Sequence, residues 1–427
     1  MRALLDASGD ELARLVRPVR SWVPGGDSDE AGLDVFARAA WSGIAEPGDV
    51  VAGLARRGLG PAVALRLAVE SVVERGGGGA GRGLETALRD SPAGDDLGRF
   101  SVDAALRRWA PRLQRWRAEA SLRAAEALDI RLLVPGDPGW PAELDELGDH
   151  APAVLWLRGA GELPAPAASV AVVGARAATS YGETVAADLG SGLSDRGLTV
   201  VSGGAYGIDG SAHRAALASE APTVAVMAGG ADRFYPAGHD ELLRRVVQAG
   251  LLVAEAPCGT TPSRWRFLQR NRLIACLTAA TVVVEAGRRS GSLNTAGHAQ
   301  VLGRPVGAVP GPVSSPSSAG CHALIRSGLA ACVTGVDDVL ELVGPIGRGA
   351  GGGGGAGGAG PAPEAVDPRV VRVQDALSPR VERTTDEVAA ASGLGADTVR
   401  GLLAEMEVDG LVVAGPAGWR RRGRSRG

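Results

Sequence analysis

From residue 169 onward, apolar and β-branched runs recur at a steady interval. They fall at 170–173, 198–201, 223–226, 251–254, 281–284 and 305–309, with starts 24 to 30 residues apart. That spacing holds one strand, one loop and one helix. The segments between them, 182–195, 210–219, 240–249, 270–279 and 292–302, carry helical patterning. Continuous apolar strands alternating with helices predict a parallel sheet covered on both faces. The expected architecture is therefore a doubly wound α/β domain, with its crevice outside the C-terminal ends of the strands.

The flanks read differently. Residues 1–164 are helical with interruptions: Leu12, Leu15 and Val16 form a short apolar stripe, and 103–128 a longer one through Leu106, Trp109, Leu113, Trp116 and Leu122. Seven residues apart, Trp109 and Trp116 are expected on one helix face as packing groups. Residues 76–83 form a glycine-rich insertion, and 348–363 a Gly/Ala/Pro linker from which no core can be built. Beyond it, helices are predicted at 370–377, at 384–392 with Thr385 as cap, and at 396–409. A strand pair follows at 411–414 and 419–421, turned at 415–418. These are winged-helix proportions. The chain thus divides into a helical region (1–130), a core (131–345), a linker (346–368) and a winged-helix-like unit (369–427) whose tail carries Arg420, Arg421, Arg422, Arg424 and Arg426.

Composition narrows the chemistry. At 427 residues with 45% hydrophobic content, two or three globular domains are expected. No stretch stays apolar for about 18 residues and the opening lacks a continuous apolar segment, so neither a membrane span nor a signal peptide is expected and a cytoplasmic location is. Cys258, Cys276, Cys321 and Cys332 form no CxxC pair, which argues against a metal knuckle or disulfide framework. All 45 basic residues are arginine. Without lysine, the standard P-loop ATPase, protein kinase and Schiff-base cofactor sites are excluded. Asparagine occurs only at 271 and 294, which raises the question of what those two positions require.

Net charge is −3, so any polyanion surface must be local. The loops leaving the strand ends supply one. Val173-Gly174-Ala175-Arg176 with Thr179-Ser180-Tyr181-Gly182 opens a helix, joining close backbone approach, a forked cation and free N–H groups. Ser202-Gly203-Gly204-Ala205-Tyr206-Gly207-Ile208-Asp209 puts glycine at another helix start, without the dinucleotide spacing. His213 follows and reads as structural. Asp232 and Glu255 read as caps or arginine partners rather than an acid/base pair. Arg264, Arg266, Arg270 and Arg272 are interleaved with Trp265 and Phe267, and residues 258–289 hold six arginines against the one acid Glu285. Of Arg270 and Arg272, one is expected to point into the crevice and the other towards a carboxylate or partner. Arg289-Ser290-Gly291-Ser292 opens the next helix and also suits a phosphate. Focused arginine beside glycine loops fits a nucleic-acid backbone, and the aromatic rings fit unpaired bases.

In order, these residues resemble the DNA-processing protein A (DprA/Smf) family. The run also includes Ala212-His213, Tyr235-Pro236, Glu255-Ala256-Pro257, Arg270-Asn271-Arg272, Glu285-Ala286, Thr295-Ala296 and Val309-Pro310-Gly311, and is preceded by Val134-Pro135-Gly136-Asp137 and Trp140-Pro141. The resemblance covers about residues 130–345, and the tail is similar to the family's optional winged-helix domain. It implies an extended Rossmann-like fold and a SAM-like N-terminal domain. It also implies a homodimer that binds single-stranded DNA, loads the RecA recombinase during natural transformation, and is not an enzyme. No cofactor or metal is expected. Matching positions make Arg176 and the Arg270–Arg272 segment phosphate contacts. The full expected DNA-binding set is Gly174, Arg176, Ser180, Gly203, Gly204, Gly207, Arg264, Arg270, Asn271, Arg272, Arg289, Ser290, Gly291 and Ser292. Two departures stand out: Leu268 follows Phe267 where the family usually has proline, and Ala237 replaces a common lysine, with Arg233 or Arg264 as candidate substitutes.

Two other readings compete. A nucleotide phosphoribohydrolase would share the fold, but Pro310-Gly311-Pro312 lacks the required GTxxE continuation. A winged-helix regulator would need a basic recognition helix, whereas Arg400 is accompanied by Glu405, Glu407 and Asp409. A protein-interaction module is the favoured reading of the tail.

Overall fold

The computed structural model describes residues 9–20, 29–76, 81–98, 100–344, 367–408 and 410–422. Residues 77–80 of the expected insertion at 76–83, the whole expected linker at 348–363, and Arg424 and Arg426 lie outside the described residues.

Eight helices form the N-terminal part: α1 (Gly9–Val16), α2 (Asp29–Ile44), α3 (Val50–Leu59), α4 (Pro61–Gly76), α5 (Gly83–Arg89), α6 (Gly94–Leu97), α7 (Val102–Trp109) and α8 (Arg115–Glu126). Asp49 caps α3 by accepting the Ala52 N–H at 3.1 Å, and it also accepts Trp109 Nε1–H at 3.2 Å. Trp109 meets Trp41 edge-on, with ring centroids 5.0 Å apart. Phe36, Leu54 and Leu106 complete this core, which continues onto Ile130, Leu132 and Trp156 of the adjoining sheet. The expected single helix over 103–128 is instead two. Pro111 lies in the 3-10 turn Ala110–Arg112 that separates α7 from α8, consistent with proline's missing donor. Trp109 is therefore buried, while Trp116 is 60% exposed on a different helix.

The central sheet has nine strands: β1 (Ile130–Leu133), β2 (Leu155–Arg158), β3 (Ser169–Val173), β4 (Thr199–Ser202), β5 (Thr223–Met227), β6 (Leu251–Ala254), β7 (Ala280–Val283), β8 (Val306–Ala308) and β9 (Ala331–Cys332). Their order is β1-β2-β6-β5-β4-β3-β7-β8-β9. The six predicted strands are all present and pair in parallel, joined on one edge by β9. On the other edge β1 and β2 add an antiparallel extension. Crossovers are α9 (Ser180–Asp195), α10 (Ile208–Ala218), α11 (Asp240–Ala249), α12 (Arg264–Cys276) and α13 (Ser292–Val301). After β8 come α14 (Ala319–Arg326) and α15 (Val336–Val343).

Strand side chains alternate between the two faces. Val170, Val172, Val200 and Val282 pack with Leu189 and Ala212 of α9 and α10. Ala171, Val173, Val201 and Val283 pack with Leu273 and Ala296 of α12 and α13. This is the doubly wound Rossmann-like arrangement. From β3 the chain runs outward to β4, β5 and β6 on one side, then crosses to β7, β8 and β9 on the other. The C-terminal ends of β3 and β7 thus border a switch point, where a crevice opens.

The C-terminal unit comprises α16 (Pro368–Ala376), α17 (Thr385–Ser392), α18 (Ala396–Val408) and the hairpin β10 (Val412–Gly415) and β11 (Gly418–Arg421). Val373, Val388, Leu403, Met406 and Val412 form its core. The cap of α17 is Thr384, not the expected Thr385. Thr384 accepts the Glu387 N–H at 3.2 Å while Glu387 accepts the Thr384 N–H at 2.8 Å, a reciprocal capping box.

Candidate nucleic-acid interface

A crevice of about 980 Å³ lies at the switch point. Its walls come from the loop after β3 (Gly174, Arg176), the loop after β5 (Tyr235), the first two turns of α12 (Arg264, Phe267, Arg270, Asn271) and the loop after β7 (Arg289, Ser290, Gly291, Ser292). Arg176, Arg264 and Arg289 are exposed there. Among the described residues none of the three sits in a salt bridge, so their guanidinium groups stay available to an anion. Neither α12 nor α13 carries an acidic side chain in its first turn, leaving two positive helix N-termini facing the same space.

An aromatic surface runs through these cations. The Arg176 guanidinium lies over Phe267, 4.5 Å from the ring centroid, and Arg270 lies 5.6 Å from it. Tyr235 tilts against Phe267 at 5.6 Å and is 43% exposed. A planar base has rings to stack on beside cations that hold its phosphate.

Arg270 and Arg272 do divide their work. Arg270 is buried and donates to the Gly203 carbonyl at 2.9 Å and to the Val226 carbonyl. Burial lowers its pKa to about 10, with Asp209 opposing the shift. It tethers the ends of β4 and β5 while bordering the crevice. Arg272 is turned away. Its two terminal nitrogens each sit 2.7 Å from a carboxylate oxygen of Glu255, and it donates further to His150 O (2.7 and 3.1 Å) and Gln269 O (2.9 Å). Every donor is spent within the fold, so the expectation of a DNA contact at Arg272 is corrected to a structural role.

The second glycine loop is also corrected. The N–H groups of Gly203 and Ala205 point to Asp209 Oδ2, at 3.1 and 3.3 Å. They are not bare donors for a ligand. Burial raises the Asp209 pKa, while Arg270 and these N–H groups pull it down. Gly203 and Gly204 are buried behind the crevice. Gly207, at φ 72°, packs the loop under the first one, where a Cβ would come within 2.3 Å of the Ala175 carbonyl oxygen. Ser180 begins α9 without lining the crevice.

The two asparagines answer the question their rarity raised. Asn271 Nδ2 donates to Asn294 Oδ1 and to the Gly291 carbonyl, each at 3.2 Å, while Arg270 Nε donates to Asn271 Oδ1 at 3.3 Å. An amide has both donors and acceptors, so the pair links α12 to the start of α13 and fixes the Ser290–Ser292 turn. Glu285 does the same for the other wall: it accepts the Thr179 N–H at 2.9 Å and Thr179 Oγ1–H at 2.7 Å. Neither this anchoring role nor the contribution of Asp375, which reaches the rim from α16, has a local signal in the sequence.

Other titratable candidates are accounted for. His213 Nδ1 lies 2.8 Å from Thr223 Oγ1, and burial drives its pKa down to about 3. Asp232 accepts the Gly259 N–H at 3.0 Å. Of the suggested substitutes for the missing lysine, Arg264 lines the crevice and Arg233 does not. Among the described residues no cluster of His, Cys, Asp and Glu is placed to hold a metal, and no helix is long and apolar enough to cross a membrane.

With this geometry in view, comparisons with known proteins are specific. Residues 131–344 match the family described as DNA recombination-mediator protein A, and residues 358–418 match the DprA winged helix domain. The putatively named DNA processing protein DprA of Mycobacterium tuberculosis is 51% identical over 316 residues, covering 70% of this chain and 80% of that protein. The Streptococcus pneumoniae DNA processing protein DprA is 40% identical over 204 residues, covering 48% of this chain and 71% of its own length. An X-ray structure of DprA from the same species aligns with a TM-score of 0.52 at 32% identity, covering 64% of this chain and 92% of that one. This chain belongs to the DprA/Smf family of DNA processing proteins.

Proposed function

We propose that the crevice binds single-stranded DNA and that the chain, as a cytoplasmic homodimer, passes the strand to the RecA recombinase. One observation carries the binding step: three exposed arginines, with no carboxylate partner among the described residues, surround the tilted Phe267–Tyr235 pair at a sheet switch point. Backbone phosphates take the cations and helix N-termini, and unpaired bases take the rings. A duplex keeps its bases stacked inside and cannot use the rings.

The recombinase step and the homodimer rest on family membership and on the matched description as a recombination mediator. Binding without bond breaking fits the carboxylates that line the crevice. Asp209 accepts two backbone N–H groups and Asp375 accepts the Arg264 N–H, so neither is poised as a free base. On α18, the exposed Glu405 and Glu407 oppose a phosphate-lined groove, which favours a protein-facing role for the C-terminal unit.

The test is titration of labelled single-stranded and duplex oligonucleotides of equal length into the full chain and the Arg176→Ala/Arg289→Ala variant. Single-strand preference that disappears in the variant supports the reading. Duplex preference, or binding untouched by the variant, overturns it. Recombinase nucleation on the same strand, with and without the chain, tests the second step.

A further inference from the structure

The C-terminal unit meets the rest of the molecule at a buried junction beside the crevice. Glu46, between α2 and α3, accepts from Arg112 at 2.6 Å and from Arg266 at 2.8 and 3.0 Å. Burial alone would raise the Glu46 pKa, but Arg266, Arg112 and Arg372 pull it far below the usual carboxylate range. Arg112 also donates to the Ala390 and Ala391 carbonyls at 2.8 and 3.3 Å, and Arg372 to those of Ser392 and Gly393 at 2.8 and 2.9 Å. Cations suit this C-terminal end of α17. Gly393 is left-handed at φ 67°, and a Cβ there would lie 2.7 Å from Arg112, Arg372 and Glu46.

This junction delivers α16 to the crevice rim. Asp375 accepts the backbone N–H of Arg264, the first residue of α12, and its carboxylate lines the crevice. Within its own helix Asp375 is badly placed, since a negative charge in the last turn of α16 opposes that helix's dipole. The unfavourable position becomes favourable only across the junction, at a helix start that has no acid of its own. The start of α13, facing the same crevice, receives no such carboxylate among the described residues.

We propose that Asp375 is an autoinhibitory contact: its carboxylate occupies the place a strand phosphate takes at the α12 N-terminus, and a strand entering the crevice displaces the C-terminal unit. The inference rests on the single-strand reading of the crevice. Asp375 is exposed, so Asp375→Asn removes the charge while leaving the fold's core untouched. An anion at a helix N-terminus and its repulsion of a phosphate together set the expected gain at about fivefold in affinity, shrinking at high salt.

The experiment uses the full chain, Asp375→Asn, and Arg176→Ala as the control for the crevice. Binding of a labelled oligo-dT is measured across a salt series, with hydrogen exchange followed at the α12 first turn and residues 388–393. Tighter binding by Asp375→Asn, with faster exchange at 388–393 when oligo-dT binds the wild type, is the result expected. Wild-type binding that Arg176→Ala weakens but Asp375→Asn leaves unchanged, with 388–393 equally protected throughout, overturns the autoinhibitory contact and leaves the strand-binding reading standing. No oligo-dT binding by the wild type or Asp375→Asn overturns both.

Discussion

Arg272→Ala separates the two arginines of the Arg270-Asn271-Arg272 run. The Arg272 side chain is 3% exposed and faces a Glu255 side chain that is 10% exposed, joined by two 2.7 Å contacts. Truncation strands a buried carboxylate and frees the His150 and Gln269 carbonyls as well. Breaking one side of such a pair costs about 3–5 kcal/mol, mostly the penalty of the abandoned charge. For a core of this size that is a fall of about 10 °C in thermal midpoint. The assay is thermal unfolding of the full chain followed at the core transition, together with oligonucleotide binding at a temperature where the variant is folded. The Arg272→Met/Glu255→Leu pair removes both charges and is expected to recover much of the loss. An Arg272→Ala protein with wild-type thermal stability and weakened DNA binding would refute the reasoning, because Arg272 would then be serving the strand rather than the fold.

Three further outcomes follow from the same geometry. Arg176→Ala is expected to leave stability within about 0.5 kcal/mol and to reduce the slope of log affinity against log salt by about 0.7 for the lost single-strand phosphate contact; a salt series on both proteins checks it. Gly207→Ala forces a Cβ to 2.3 Å from the Ala175 oxygen at φ 72°, so it should lower the thermal midpoint and weaken strand binding together. His213, held neutral by burial with a pKa of about 3, binds a proton more readily unfolded than folded. Its contribution is complete above pH about 6.5 and is lost as pH falls towards 3, reaching about 2 kcal/mol at pH 5. A His213→Gln variant should therefore show a flatter stability profile between pH 7 and 5 in denaturant titrations.

The sequence shows the sheet's centre more clearly than its edges. Strands β3 to β8 are buried on both faces, so each reads as an unbroken apolar run at regular intervals. The antiparallel pair β1 and β2 has no crossover helix between its strands and breaks that rhythm, and the two-residue β9 has no run to detect. The start of α12 was hidden for a related reason: Arg264-Trp265-Arg266-Phe267 serves the crevice and the Glu46 junction, so it lacks an apolar stripe. Spacing alone predicts that Arg270 and Arg272 diverge but not which one faces inward, because that depends on how the loop after β6, 17 residues upstream, folds back to set Glu255 against Arg272. The scarcity of asparagine did point to a site, since Asn271 and Asn294 hydrogen-bond to each other across it. Asp375 carries no local signal: its partner lies 111 residues away, and only folding brings them together.

Photochemical cross-linking of a 5-iodouracil-substituted single strand to the full chain, with the attached peptides identified by mass spectrometry, bears on the crevice without any substitution. Adducts at Tyr235 and Phe267, suppressed by unlabelled single strand but not by duplex, are the predicted result. Adducts confined to the hairpin and arginine-rich tail, with Tyr235 and Phe267 unmodified, would contradict it and place the strand elsewhere.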